Sequence, residues 1–374
     1  PGYRQALEDL LIGENDKFQF EFSGRFNSET LDAITSMIPY RELILEHTMF
    51  PYYARFERIN RRYNALNELC KGNTNINSLL TIPNSNKERY LSYCPLCAQE
   101  DRNQFGETYF HRIHQIRGIR ICHKHCCKLI DTPIKIYSNA SPRLHVPEEA
   151  IPQQATVTHS NEEEYKFANY IAELFLHPIS FANDVPIGEF LKSKIEDSPY
   201  CPPSGLYIYT KALTESLNNF FPWQEPIKQH VIQKVLSGDT NDFMTISKIG
   251  YFLGISICEL ASPILPSKTK TEQFRESISD LRKQGLSFVK ISRILEASQC
   301  AIYKVIKPLP PKPHFRGVRK GMQTQNWSKM DIESIPAIKG AIEKIRNGNG
   351  RPGRVTIRAI CKAMGWPSKR LDNL

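Results

Sequence analysis

The sequence predicts a mainly α-helical, multi-domain chain, and three observations predict it. Apolar residues recur at helical spacing through most of the 374 residues, with no apolar run reaching the ~18 residues of a membrane span. Two cysteine-bearing turns, Cys94-Pro95-Leu96-Cys97 and Cys122-His123-Lys124-His125, stand 24 residues apart. One apolar pattern recurs three times toward the C-terminus, at a spacing that alternates helix, turn and helix. The fold class is therefore mainly α and multi-domain, with a small Cys3His zinc-ribbon or knuckle module and C-terminal helix-turn-helix domains. A chain of this length can bury two or three separate cores.

The paired turns have the spacing of a closed metal site. A CxxC turn presents two thiolates to one ion, and a second turn supplies the other two corners of a tetrahedron. The ligand set read from this order is Cys94, Cys97, Cys122 and His125. Zn2+ bound by Cys3His keeps no open position, so it staples the fold and performs no chemistry. His111, His114, His123, Cys126 and Cys127 lie close enough to be alternative ligands. A disulfide framework is the competing reading; it is disfavoured because a chain of this size does not need one and no secretory segment is visible. Cys70, Cys201, Cys258, Cys300 and Cys361 stand singly and read as small buried hydrophobes.

Charge is unevenly placed. The chain carries +10 overall, but residues 265–374 hold 23 Lys and Arg against 8 Asp and Glu, a balance of +15 that leaves −5 for the remainder. A basic region on an otherwise ordinary scaffold is the footprint of a polyanion partner, here nucleic acid; a solubilising basic face is the competing reading, disfavoured because acids are sparse.

Taken in order, Asn27-Ser28-Glu29-Thr30 reads as a cap before a helical face of Leu31, Ile34 and Ile38. Residues 56–69 read as a helix with Arg58, Arg61 and Arg62 on its outer side, as a solvated face or, alternatively, toward an acidic partner. After the cysteine turns, residues 131–159 are rich in Pro and polar residues and read as strand and loop. Residues 160–176 read as a helix whose acidic first turn complements the helix dipole. Residues 187–195 and 206–221 read as amphipathic helices ending at a core aromatic cluster, Phe220-Phe221-Pro222-Trp223.

The repeat begins at Thr245-Ile246, Ser287-Phe288 and Thr356-Ile357. Each copy continues with an apolar residue (Ile249, Ile291, Ile360), a second (Leu253, Leu295, Met364), a turn position (Gly254, Glu296, Gly365) and an anchor (Leu260, Ile302, Leu371). That is a helix-turn-helix, whose second helix can lie in a major groove. Helices at 273–284 and 331–346 precede the second and third copies. The second copy is expected to bury Ile302 and Ile306, and to present Ser298, Gln299, Tyr303, Lys304 and Lys307 to base edges and phosphates. Ser368, Lys369 and Arg370 are the equivalents in the third copy, whereas Ser256-Ile257-Cys258-Glu259 has no basic residue and reads as structural, or at most a backbone contact. Between the copies, Arg316, Arg319 and Lys320 sit in a basic Pro- and Gly-bearing strap, and Arg351 and Arg354 flank Pro352-Gly353 in a short stretch that reads equally as AT-hook-like or as a basic loop before a helix.

The wording around the cysteines resembles that of the TnsD/TniQ family, target selectors of heteromeric cut-and-paste transposons. The carriers are Tyr93-Cys94-Pro95-Leu96-Cys97, then 106–112, then 114–125, and upstream Glu46-His47-Thr48-Met49-Phe50-Pro51-Tyr52-Tyr53, similar to the family's HT-x-FP-x-Y element. Trp327 with Asp331, and Arg351 to Thr356, resemble stretches of the long, DNA-reading TnsD-like members. The resemblance implies a protein that recognises a chromosomal attachment site in double-stranded DNA. It also implies recruitment of the AAA+ ATPase TnsC through the N-terminal region, and through it of the TnsA/TnsB transposase. The alternative that it implies is a TniQ-like adaptor linking an RNA-guided CRISPR effector to TnsC. The family's usual opening segment is missing before Pro1, so native N-terminal residues are expected to precede it. The expected location is the bacterial cytoplasm, at the nucleoid, with no membrane partner.

The expected domains are an N-terminal TniQ-like region (1–89), the zinc module (90–131), a connecting domain (132–225), a first helix-turn-helix-like unit (226–265), a second (266–308), a basic linker (309–326) and a C-terminal helix-turn-helix (327–374). No GxxxxGK[ST], no HExxH and no paired nucleophile and base is present, so no catalytic residue is expected and the chain reads as a non-enzyme.

Overall fold

The computed structural model describes residues 21–22, 27–71, 76, 78–80, 89–136, 146–306, 327–348 and 355–366. The chain divides into two compact units, residues 1–307 and 308–374. The described residues are mainly helical, as the apolar periodicity predicts.

The first unit opens with α1 (Ser28–Met37), whose start is the predicted cap: the Asn27 side chain accepts from the Thr30 N–H. Helices α2 (Tyr40–His47), α3 (Phe50–Ala54) and α4 (Ile59–Cys70) follow. Thr48 closes the kink between α2 and α3, donating to the Ile44 carbonyl at 2.6 Å and accepting from the Phe50 N–H at 3.1 Å. The whole of α3 is buried, which makes the HT-x-FP-x-Y stretch a wedge in the core. The arginines of α4 do not form one solvated face. Arg58 pairs with Asp184 at 2.7 Å, Arg61 donates to the Leu79 carbonyl, and Arg62 is buried and donates to the Asn183 carbonyl. Their partners come from distant segments, which local periodicity cannot reveal.

A two-stranded antiparallel sheet, β1 (Tyr90–Tyr93) with β2 (Ile130–Lys135), brackets the cysteine turns, with α5 (Pro95–Phe105) and a 3-10 turn, Arg112–Gln115, between the strands. The strand-and-loop segment after it holds one further short helix, α6 (Pro147–Ala150). The main core then closes through α7 (Glu162–Leu176), α8 (Ile187–Glu196), α9 (Thr210–Phe220), α10 (Gln229–Ser237), α11 (Phe243–Phe252) and α12 (Ile257–Ala261). Phe221 is buried against Phe167 and Tyr251, as the aromatic-cluster reading expects, while Phe220 stays 41% exposed.

A small separate core of Phe274, Ile278, Ile291, Ile302 and Val305 holds α13 (Lys270–Lys283), α14 (Phe288–Ile294) and α15 (Gln299–Ile306) together. In the second unit, α16 (Trp327–Arg346) packs on α17 (Ile357–Ala363). Of the single cysteines, Cys201 and Cys361 are buried and Cys70 is partly so. Cys258 and Cys300 are exposed, because each falls on the outward side of a second repeat helix. Among the described residues no helix is long and apolar enough to cross a membrane.

Candidate metal centre and nucleic-acid interface

The first cysteine turn is a helix start. Pro95 takes the first position of α5, where its missing N–H is harmless, and Cys94 is the cap, its sulfur accepting the Cys97 N–H at 3.4 Å. A sulfur there faces the positive end of the helix dipole, which favours thiolate. The second turn is a tight hairpin. Cys122 and Cys127 are joined by an N–H to carbonyl bond of 2.8 Å, and Cys126 bends the chain through a left-handed conformation at φ 50°.

These two turns bring Cys94, Cys97, Cys122 and His125 into one cluster, all donor atoms within 4.8 Å of one another. The His125 Nδ1 lies 3.4, 3.3 and 3.7 Å from the sulfurs of Cys94, Cys97 and Cys122, and the Cys97 and Cys122 sulfurs are 3.7 Å apart. A tetrahedral ion with metal–sulfur bonds of about 2.3 Å and a metal–nitrogen bond of about 2.0 Å has donor edges of roughly 3.5–3.8 Å. The four residues therefore fit one metal ion.

Two further groups stand against the cluster, and of these the sequence reading missed Glu100. Glu100 Oε1 lies 3.0 Å from His125 Nε2, so a proton at Nε2 is held there and Nδ1 is left with its lone pair toward the sulfurs. The signal was available, since Glu100 follows Cys97 by one helical turn. Hydrogen bonds from Lys124 and then His125 hold the Glu100 carboxyl below the usual carboxylate range. Cys127 is the second group, one of the alternative ligands: its buried sulfur is 3.3 Å from that of Cys94. His114 is also buried, with Nε2 3.9 Å from the Cys97 sulfur, and burial lowers its pKa so that it is neutral. His111 instead meets Asp101 at 2.9 Å. Hydrogen bonding within the sulfurs, first from Cys122 and then from Cys97, lowers the Cys94 thiol to about 3.

The cluster is fastened to the helical body by Arg112, in the 3-10 turn between the two cysteine turns. Its guanidinium donates to the carbonyls of Leu45 and Thr48, both at 3.0 Å, and lies over the Phe175 ring. The HT-x-FP-x-Y wedge and the cysteine module are thus one packed object.

Residues 3–129 match the TniQ family model, a span holding both the wedge and the four donors. The N-terminal third of the chain is similar to the TniQ family. The chain is 28% identical over 94 residues to the transposon Tn7 transposition protein TnsD of Escherichia coli. That match covers 24% of this chain and 18% of the relative, so the chain spans under a fifth of that protein's length in the match.

Further along the chain, the repeat is visible in the backbone. All three turn positions are left-handed, Gly254 at φ 68°, Glu296 at φ 48° and Gly365 at φ 67°. Each turn closes with the same six-to-one bond: Ile255 N–H to Gly250 carbonyl, Ala297 N–H to Ser292 carbonyl, Trp366 N–H to Cys361 carbonyl. In the second and third copies Ser287 and Thr356 cap the first helix, whereas in the first copy that helix starts earlier, capped by Asp242.

Copy two is a three-helix unit. The anchor pair on α15 is Ile302 with Val305; Ile306, expected inside, is 38% exposed. The reason is geometric: α14 and α13 approach the i, i+3 side of α15, and Ile306 falls off that side. Gln299, Tyr303 and Lys304 face outward as expected, with the Tyr303 ring resting on Phe288 at 5.2 Å. Ser298 is exposed, and its hydroxyl oxygen caps α15 by accepting the Ala301 N–H at 3.1 Å. Copy one differs. Its Glu259 is occupied by Ser256 and by Lys194 at 2.7 Å, and its apolar residues belong to the main core. Lys307, Arg316, Arg319, Lys320, Arg351, Arg354, Ser368, Lys369, Arg370 and Leu371 lie outside the described residues.

Proposed function

We propose that this chain is a non-catalytic target selector of a heteromeric cut-and-paste transposon: it recognises an attachment site in duplex DNA and recruits the AAA+ regulator TnsC, which in turn calls the transposase. The observation that carries this reading is a TniQ-matching N-terminal third in a chain that also has an outward-facing second helix of a helix-turn-helix unit. On this reading Gln299, Tyr303 and Lys304 touch the groove, and the basic strap and third copy extend the contact along the backbone. Zn2+ held by Cys94, Cys97, Cys122 and His125 is structural and keeps the wedge and sheet in one shape for TnsC to meet.

Support for a polyanion partner comes from charge, since +15 of the formal charge lies in residues 265–374, and the helix-turn-helix pattern favours duplex DNA among polyanions. The test is selection of bound fragments from a random genomic pool by the metal-loaded protein without added RNA, followed by mobility-shift titration. One enriched sequence is expected, with a log–log salt slope of about −5 if roughly six phosphates are contacted. Lys304→Ala should weaken that binding by about 1–3 kcal/mol if Lys304 meets a base. Absence of any sequence preference at physiological salt would overturn direct reading and leave the adaptor for an RNA-guided effector.

A further inference from the structure

A cleft of about 620 Å³ in the first unit has one wall from the cysteine module and the other from the segment around Trp223 and from α11. None of the four metal-cluster donors and no second helix of a repeat lines it. Its lining holds polar groups that the fold leaves unanswered. The buried Arg117 Nε and Trp223 Nε1 have no hydrogen-bond partner, and among the described residues Arg117 forms no ion pair. Lys248 is 6% exposed and its ammonium donates to a single acceptor, the Glu225 carbonyl at 3.2 Å. Buried donors of this kind are rare in finished interiors and mark a place where a partner's acceptor belongs.

The remaining charges on the walls narrow the partner's chemistry. Arg89 is taken by Glu21 at 2.7 Å and Arg120 by Asp131 at 3.2 Å. Asp242 spends one carboxylate oxygen on the Thr245 N–H. Arg117, Lys248 and the exposed Lys228 are left as cationic, against exposed Glu225. Between the donors the surface is aromatic and aliphatic, with Tyr52, Trp223, Met244 and Ile227. A polyphosphate is normally cradled by successive backbone N–H groups at a Gly-rich loop and helix start, and here the unanswered donors are scattered side chains. A duplex would bring its continuous negative charge against Asp131, Glu225 and Asp242. A single carboxylate beside an apolar side chain suits the lining.

We propose that this cleft docks an acidic peptide segment of a partner protein, its carboxylate on Arg117 and Lys248 and an adjacent apolar side chain against Trp223 and Met244. The proposal stands apart from the DNA reading, because none of these residues lies in a repeat's second helix.

The test pans a displayed random heptapeptide library on the full-length, metal-loaded protein. The retained peptides are synthesised and titrated against a chain carrying Trp327→Phe and Trp366→Phe, which leaves Trp223 as the lone tryptophan of the three. Retained peptides are expected to pair Asp or Glu with an aromatic or aliphatic neighbour and to shift the Trp223 emission. Glutamine in place of the acid should weaken them at least tenfold, a comparison that needs no protein variant. Arg117→Met or Lys248→Met should weaken the acidic peptide to the same degree, with an unchanged circular dichroism spectrum. Failure to retain any peptide, equal affinity for the acid and amide forms, or displacement of the peptide by ATP would each overturn the proposal.

Discussion

Removal of the Glu100 carboxylate tests whether the cysteine module is built around a metal. Glu100 touches no sulfur; its one link to the cluster is the 3.0 Å contact with His125 Nε2. Outer partners of this kind fix the tautomer and ring angle of a ligating histidine, and their loss lowers metal affinity about 10- to 100-fold. The Glu100 side chain is 48% exposed and shares its other oxygen with Lys124, so the lower end applies, about tenfold for Glu100→Ala. Glu100→Gln keeps a carbonyl acceptor and should lose less. Lys124→Met leaves the histidine contact intact and should change little. Zinc affinity is read by competition with a chromophoric chelator at constant pH, since metal must displace the thiol protons. Glu100→Ala matching the parent within twofold would show that His125 does not bind metal through Nδ1, and the ligand set would pass to Cys127.

Three further outcomes follow from the same geometry. Cys94→Ser should remove the metal and unfold the cysteine module, because the binding energy of a structural site is folding energy; unchanged metal stoichiometry and melting would contradict this. Glu296→Gly should stabilise the 270–306 unit by up to about 1 kcal/mol, since the left-handed turn suits glycine better than a residue with a Cβ; the measurement is the denaturant midpoint. Val305→Ala should destabilise that unit by about 2 kcal/mol, whereas Ile306→Ala should stay within about 0.5 kcal/mol, and equal effects would mean the helix is rotated from the packing described.

Local signals read well wherever the controlling interaction is itself local. The Asn27 cap and the acidic start of α7 are each written within four residues, and each is found where the spacing puts it. The three repeats are legible for the same reason, since a turn in the left-handed region with a six-to-one closure is a device of six consecutive residues. Arg62 misled because it ends on the Asn183 carbonyl, 121 residues away, and an exposed-looking arginine on a polar helix face carries no mark of such a partner.

The sequence by itself determined the helical class, the position of the cysteine turns and the register of the repeats, because periodicity and turn chemistry act over a few residues. Tertiary structure alone decided the rest. It selected Val305 over Ile306, brought Glu100 to His125 and Cys127 to Cys94, and seated the HT-x-FP-x-Y wedge under Arg112. It also left Arg117 and Trp223 with unanswered donors in one cleft. Each of these outcomes depends on which segments meet in space, and the free energy of burying or pairing a group is set by that meeting.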